Sequence, residues 1–524
     1  MPNDAMLSRR TLLGATVAGG ATVLVGGRSA AATTVPRPVR ELEEKIQAGM
    51  AAYRIPGVAY GLRFRGAEYA GGFGVTDVDR PEPVDGDTVF RVGSTTKTFT
   101  GTTVMRLVEA GRLDLHRTVR SYLPDFHTAD PAASRRVTVR EALNHSAGWL
   151  GDFFLDTGEG EDALARYVAG MSRLPQLTPP GRVMAYNNAA LGLAGRLIEV
   201  VTGDTYERVV RSLVLGPLRL RHSAFTLAEL PGVPVATSHV YDENGLPVAY
   251  PEGFNVWRSL NPAGGLISSA RDQLRWADFH LSDGGRLLTR ASMRRMQSRP
   301  GPGGTLFVET DGFGVTWMLR PTAEGPLVVQ HGGDWTGQHS GFLMVPERDF
   351  ALTVLTNSET GPALLAELFA DDWALSRFAR VHNLRAVPRA LSAAQLAPYA
   401  GTYAAQQIGP DGAVADIVLE LVPDAGQLSL RIDGVEGGRL AFYRKDYALV
   451  LEPGGAPAHT RVNFLRDDGG VVWLRFGGRL FRHQALSARR ALSARRAPLR
   501  LNTLPHWAPP TAFPTRRSAR SERR

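Results

Sequence analysis

The sequence predicts an α+β protein: an antiparallel sheet flanked by helices, followed by a small all-β barrel or sandwich. Three observations carry this. Runs with helical apolar spacing open the chain and fill its middle, whereas short alternating runs cluster near residue 60 and again between residues 313 and 356. The late runs follow one another across turns, as antiparallel neighbours do. Beyond Leu391 the texture becomes short strands at regular intervals, separated by Gly, Asp and Pro turns.

The elements follow in order. A helix is expected from about Pro38 to Tyr53, then short strands from Gly57 to Val78. A second helical pattern starts at Ser94 and ends near Gly111, a residue suited to a C-cap. Residues 117–225 read as mostly helical. Strand signals return at Phe313–Leu319, Leu327–Gln330, Gly341–Val345 and Phe350–Thr356, and helical sequence resumes over Gly361–Phe378. Seven strands are predicted in the last part: Gly401–Tyr403, Ile417–Leu421, Leu428–Ile432, Leu440–Tyr443, Ala448–Leu451, Arg461–Leu465 and Val471–Phe476.

Composition narrows the function classes. The 524 residues hold no cysteine, which excludes disulfides, thiolate metal sites and a cysteine nucleophile. No stretch is long and apolar enough to span a membrane. The net charge of +9 suggests nucleic acid only until it is mapped. Residues 485–524 carry ten Arg against one Glu, and residues 1–32 add three Arg against Asp4, so the body between them is near −2. No nucleic-acid partner is expected. Residues 485–524, with the repeat Ala485–Arg490 and Ala491–Arg496, read as a basic, disordered tail. At the other end, Ser8-Arg9-Arg10-Thr11-Leu12-Leu13 precedes an Ala/Gly/Val-rich run and the small residues Ser29-Ala30-Ala31-Ala32. That is the order of an export signal, and the paired arginines resemble the twin-arginine type of bacteria. The expected division is therefore an export signal at 1–32, a sheet-and-helix domain at 36–385, an all-β domain at 391–484 and the tail at 485–524.

Only three of the 60 Lys and Arg residues are lysines: Lys45, Lys97 and Lys445. An amine kept against that bias can do what a guanidinium cannot, which is to lose its proton when desolvated. Lys97 lies three residues after Ser94 in Gly93-Ser94-Thr95-Thr96-Lys97, so on a helix the two share a face. Ser94 would sit at the helix start, where backbone N–H groups and the dipole favour a developing anion. A serine needs an adjacent base to become a nucleophile, and the spacing supplies one. Alone, the pair equally fits a helix cap beside a surface lysine. Two further segments bear on it. Pro179-Pro180-Gly181 leads into Tyr186-Asn187-Asn188, where a phenol of depressed pKa could carry protons and the Asn188 amide could hold substrate. His331-Gly332-Gly333-Asp334-Trp335 follows an apolar strand, and its glycines permit close approach of a ligand or of another backbone. A backbone N–H there could pair with that of Ser94 as an oxyanion hole.

Ser94-x-x-Lys97, Tyr186-x-Asn188 and His331-x-Gly333 come in the order of the penicillin-binding-protein and class C β-lactamase superfamily of serine hydrolases, with spacings of 92 and 145 residues that suit it. The connecting sequence also resembles that family, in Leu143–Trp149, Gly216–Leu220, Asn261–Ser269 and Val345–Asp349. The resemblance covers about residues 38–382, and the part after Leu391 resembles the lipocalin-like domain that many such hydrolases carry.

The resemblance implies roles. Ser94 is the expected acylated nucleophile, with Lys97 and Tyr186 sharing acid and base work. The Ser94 and Asp334 N–H groups are expected to hold the oxyanion, and Asn188 to orient the acyl side chain. His331 stands where the family commonly has lysine and would assist electrostatically or in proton transfer. Gly332 and Gly333 are expected to line the substrate site, and Trp149, Phe153, Phe154 and Trp335 to form an apolar pocket wall. Gly332 is a departure, because β-lactamases and carboxypeptidases usually have Thr or Ser there to bind a carboxylate. That leans toward an esterase, a D-amino-acid amidase or peptidase, or acyl transfer to an amine. The expectation is a secreted serine hydrolase without cofactor or metal, acting on a small-molecule or peptide substrate. A penicillin-binding-type peptide cyclase and a non-catalytic binder of cell-wall peptide are the alternatives.

Overall fold

The protein is described by a computed structural model covering residues 35–298, 300–452 and 457–484. The expected export signal and basic tail lie outside the described residues. The main sheet is built from β1 (Gly57–Phe64), β2 (Ala67–Gly74), β3 (Gly312–Phe313), β4 (Met318–Arg320), β5 (Val328–Gln330), β6 (Gly333–Trp335), β7 (Gln338–Val345) and β8 (Phe350–Thr356). Its order is β2-β1-β8-β7-β5-β4-β3, with β6 also paired to β7, and every pairing is antiparallel.

The two-residue period of the strands sorts their side chains to two cores. Val58, Tyr60, Leu62, Leu352 and Val354 face α1 (Arg37–Tyr53) and the helical segment after Gly361. Ala59, Phe342, Met344, Ala351 and Leu355 face α2 (Thr96–Glu109), α3 (Asn188–Thr202) and α4 (Ala270–Leu281). On that side α4 lies against Gly61, where a β-carbon would come 2.8 Å from Leu274 and 2.9 Å from the Ala270 carbonyl.

The helix α2 runs through the middle of the molecule. All its residues from Thr96 to Met105 are buried, so its threonines need partners. Thr98, Thr102 and Thr103 bond back to the carbonyls of Thr95, Thr98 and Phe99 at 2.8–2.9 Å, and Phe99 stacks on Trp276 at 3.9 Å. The predicted run Phe313–Leu319 is two strands rather than one, because Gly314 N–H bonds the Trp317 carbonyl at 2.9 Å and turns the chain.

The last part closes into an eight-stranded barrel: β9 (Gly401–Ile408), β10 (Val414–Asp424), β11 (Gln427–Ile432), β12 (Val435–Arg444), β13 (Tyr447–Leu451), β14 (Pro457–Asp467), β15 (Gly470–Phe476) and β16 (Arg479–Gln484). Its interior is filled by Leu419, Leu428, Leu430, Leu440, Phe442, Phe464 and Leu474, around Tyr399 and Tyr403. Seven of the eight strands match the predicted runs; the eighth, β16, is missed, and it is the strand that closes the ring onto β9.

The barrel is fastened to the sheet domain at several points. Thr305 Oγ1 donates to Asn463 Oδ1 at 2.9 Å, Arg475 Nη1 to the Gly303 carbonyl at 3.1 Å, and Arg461 N–H to the Phe307 carbonyl at 2.8 Å. Glu309, largely buried, accepts from Tyr443, Arg444 and Arg461.

Candidate active site

Ser94 is the only partly exposed residue between Thr88 and Met105. It sits in a single 3₁₀ turn, Gly93–Thr95, that leads into α2. The turn is clamped to its surroundings by hydroxyls. Thr96 Oγ1 donates to the Gly93 carbonyl at 2.6 Å and accepts from Leu266 N–H at 3.0 Å, while Ser340 Oγ of β7 donates to the Val92 carbonyl at 2.8 Å.

Lys97 lies one turn on, with no exposed surface. Its Nζ is 2.9 Å from Ser94 Oγ and donates to the Ala263 carbonyl at 2.6 Å. Burial holds its pKa well below the ordinary 10.5, and the Arg479 cation pushes the same way, against opposing pulls from Asp152 and Asp334. The amine is therefore primed to be neutral, with its lone pair beside the serine hydroxyl.

Tyr186 completes the group. Its ring centroid is 5.1 Å from Lys97 Nζ. Burial raises the phenol above its ordinary 10, while the Ser94 side chain acts to lower the pKa of its hydroxyl. The depressed phenol considered from the sequence is thus corrected: in a dry site the neutral form wins, and Tyr186 holds its proton.

Asn187 caps α3 by accepting from Ala190 N–H at 2.8 Å, which brings Asn188 to the helix start facing the site. Asn188 Nδ2 donates to Asp152 Oδ1 at 3.1 Å. The His145 ring stacks on Tyr186 at 4.5 Å, and its Nδ1 accepts from Asn187 N–H at 2.9 Å.

The strand β6 forms the opposite wall. A β-carbon on Gly333 would lie 2.1 Å from the Val92 carbonyl and 2.4 Å from Ser94 N, and one on Gly93, whose φ is +49°, would lie 2.7 Å from Asp334 N. Two facing glycines thus let the Ser94 and Asp334 amides share one small space. The Asp334 carboxylate is 45% exposed and accepts from His339 Nδ1 at 2.8 Å.

His331 is buried, and its Nδ1 lies 2.7 Å from the Gly332 carbonyl, which fixes the proton there. Burial lowers its pKa to about 3. His331 is therefore neutral in the working range. It cannot replace the charge of a lysine, and what it offers is the Nε2 lone pair, which has no protein partner.

The pocket-wall expectation needs correcting. Trp149 and Phe153 are 1% and 0% exposed, packed on Phe126 and Tyr167 in the core, so neither lines an open cleft. Trp335 bonds the Asn255 carbonyl at 3.0 Å and packs edge-on to Trp257 at 5.9 Å. Gly332 is exposed beside His331, with only the Ser340 carbonyl close to where a β-carbon would be.

Three site residues escaped the sequence reading: His145, Asp152 and Arg479. His145 lies inside the noted Leu143–Trp149 segment, which assigned it no role. Asp152 follows the noted Leu143–Trp149 segment by three residues. Arg479 comes from the barrel, 385 residues from Ser94, and its one local signal is the Gly477-Gly478 pair before it.

A family model described as Beta-lactamase matches residues 42–375. This chain belongs to the β-lactamase family. "Penicillin-binding protein 4" of Amycolatopsis lactamdurans is 32% identical over 69% of the chain and 96% of its own length. "Protein flp" of Staphylococcus aureus (strain NCTC 8325 / PS 47) is 25% identical over 62% of the chain, which spans 64% of that protein. Among solved structures, SurE, determined also with D-Leu, has a TM-score of 0.66 and 27% identity over 85% of this chain and 99% of its own. The octameric penicillin-binding protein homologue of Pyrococcus abyssi has a TM-score of 0.57 at 24% identity, covering 83% of this chain and 98% of its own, a likeness of fold. The β-lactamase fold, with an antiparallel sheet between helices and an added closed barrel, is thus as the sequence predicts, and the family is one of serine hydrolases and acyl transferases.

Proposed function

We propose that this β-lactamase-family protein forms an acyl-enzyme on Ser94 and hydrolyses an amide or ester of a D-amino-acid or related acyl group. The observation that carries this is the 2.9 Å contact between the Ser94 hydroxyl and a fully buried lysine amine. Ser94 Oγ attacks the substrate carbonyl and its proton passes to the Lys97 lone pair. The Ser94 and Asp334 N–H groups receive the oxyanion. As the tetrahedral adduct collapses, Tyr186 gives its proton to the leaving group and recovers it from Lys97. Water then repeats the sequence in reverse to free the acid. Gly332 offers no hydroxyl for a substrate carboxylate, which favours substrates without a free C-terminus over carboxypeptidase-type ones. The determination of SurE with D-Leu supports the D-configured acyl class. The order of residues 8–32 supports action outside the cytoplasm.

A second reading, acyl transfer to an amine, is favoured by one observation: the half-exposed Asp334 carboxylate beside the oxyanion amides is placed to attract an ammonium group. Both readings share Ser94. Intact-mass measurement after incubation with β-lactams, D-amino-acid amides and short-chain esters should show a single adduct, absent from Ser94→Ala. Turnover of activated esters by Ser94→Ala at the native rate would overturn both. Product masses, free acid against amide, separate hydrolysis from transfer.

A further inference from the structure

The turn between β15 and β16 uses Gly477 and Gly478, with φ of +53° and +77°, and delivers Arg479 to the wall of the acylation site. Tyr186 N–H donates to the Gly478 carbonyl at 2.8 Å, so the hairpin touches the backbone of the site itself. The Arg479 side chain is 15% exposed. Its Nε and Nη2 donate to Asp152 Oδ2 and Oδ1 at 3.0 and 3.2 Å, and its Nη1 to the Gly477 carbonyl at 2.8 Å. The guanidinium lies 4.9 Å from the Tyr186 ring centroid. The backbone of Asp152 is tied to the barrel as well: Ile408 N–H bonds its carbonyl at 2.9 Å, and Phe154 and Asp156 N–H bond the Ile408 and Pro410 carbonyls at 2.8 and 2.9 Å. The loop that carries Asp152 is thus an extra edge of the barrel.

We propose that Arg479, supplied by the C-terminal barrel, is a positioning residue of the acyl-transfer site, gripping Asp152 through a two-pronged bond so that Asp152 holds the Asn188 amide in place while the guanidinium stays beside Tyr186 and Lys97. The inference rests on the Ser94 reaction proposed above. Asp152 takes the amide nitrogen of Asn188, which leaves the amide oxygen for a substrate N–H. A fork-shaped, permanently charged donor suits this task. A purely adhesive role is the competing view. It is weakened by the other fastenings of the barrel at Thr305, Glu309, Arg461 and Arg475, whose bonds go to residues other than Ser94, Lys97 and Tyr186.

The groups facing the Lys97 amine are the Arg479 cation, the Asp152 and Asp334 carboxylates, the Tyr186 phenol and the neutral imidazoles of His145 and His331. The two members of the ion pair therefore act on the amine in opposite senses. With Arg479→Gln two carboxylates remain and favour the ammonium, so the acid limb of kcat/KM moves to higher pH, by about one unit. With Asp152→Asn the cation is opposed by Asp334 alone and the limb moves to lower pH. Arg479→Lys keeps the charge but not the fork; the limb stays, and KM for substrates with an acyl-side amide rises about tenfold.

The test is the pH dependence of ester and D-amino-acid amide turnover in these three variants of the full chain, with thermal unfolding to confirm folding. Opposite displacements in Arg479→Gln and Asp152→Asn support the assignment. Native limbs in both, or shifts of one sign, overturn it, because adhesion alone would change stability and leave the limbs fixed. If Arg479→Gln does not fold, a native limb in Asp152→Asn with native KM in Arg479→Lys overturns it. A native protein that never acylates Ser94 instead overturns the underlying reaction, and the Arg479 role with it.

Discussion

Two buried cationic side chains flank one tyrosine, and their environments lead them to opposite states. Lys97, in the first turn of α2, makes its hydrogen bonds to neutral groups, the Ala263 carbonyl and the Ser94 hydroxyl. Burial holds its pKa well below the ordinary 10.5 and so disfavours its charge. Arg479, at the start of β16, has the Asp152 carboxylate against its fork; burial works against its charge too, but Asp152 more than offsets this and its pKa is raised. Desolvation acts on both, so the counter-ion decides which remains an ion. One becomes a base and the other a fixed field.

Exchanging the two side-chain types is the sharpest way to break the contrast. Lys97→Arg puts a group that cannot lose its proton beside Ser94. Acylation by activated esters should fall by about 10³-fold or more, since general-base help is worth about 10²–10⁴ and the longer side chain also crowds the hydroxyl. Burst kinetics and intact mass measure this. The reverse exchange, Arg479→Lys, keeps its charge and should retain most of the acylation rate. Comparable loss in both would show that bulk, not protonation, governs residue 97.

The same contrast explains what was legible in the sequence. The Ser94–Lys97 spacing is local, and the scarcity of lysine marks Lys97 among the many arginines. Tyr186 and His331 were legible through the resemblance, because Tyr186-x-Asn188 and His331-x-Gly333 follow Ser94-x-x-Lys97 in the family's order and spacing. Arg479 was hidden for the converse reason. In a chain rich in arginine, one more after a Gly-Gly turn carries no local mark, and the strand it begins was not recognised at all. Its meaning comes from closure of the barrel onto the sheet domain, a contact that no periodicity encodes. Trp149 and Phe153 were misread as pocket wall because an aromatic cluster near a motif has the same pattern whether it faces a cleft or the core.

A smaller effect isolates the oxyanion wall from both cations. In Gly333→Ala the new methyl would collide with the Val92 carbonyl and the Ser94 amide, so β6 must retreat from the 3₁₀ turn. The expected loss is about 10²-fold in kcat. Of the charges facing Lys97 only Asp334 moves with β6, while Arg479 and Asp152 stay, so the acid limb should hold close to its native position while the rate drops. A shifted limb would mean that β6, through Asp334, sets the lysine charge more strongly than Arg479 does.

The smallest effect concerns stability and has opposite signs at the two sites. Between its lowered folded pKa and 10.5, folding strips a proton from Lys97. The unfolded chain binds that proton more tightly, so this group makes native stability rise with pH from its lowered folded pKa up to 10.5. Lys97→Met removes the cost and keeps the volume. The variant should be inactive yet more stable by about 1–3 kcal/mol at pH 7, with the gain growing toward acid pH and vanishing near 10.5. Arg479→Met should do the reverse, because it leaves Asp152 buried without its cation, a loss of about 3 kcal/mol. Denaturant unfolding at two pH values measures both. If Lys97→Met were destabilising at pH 6, the native amine would have to be a well-solvated or well-paired ammonium, and the division of labour between the two cations would collapse.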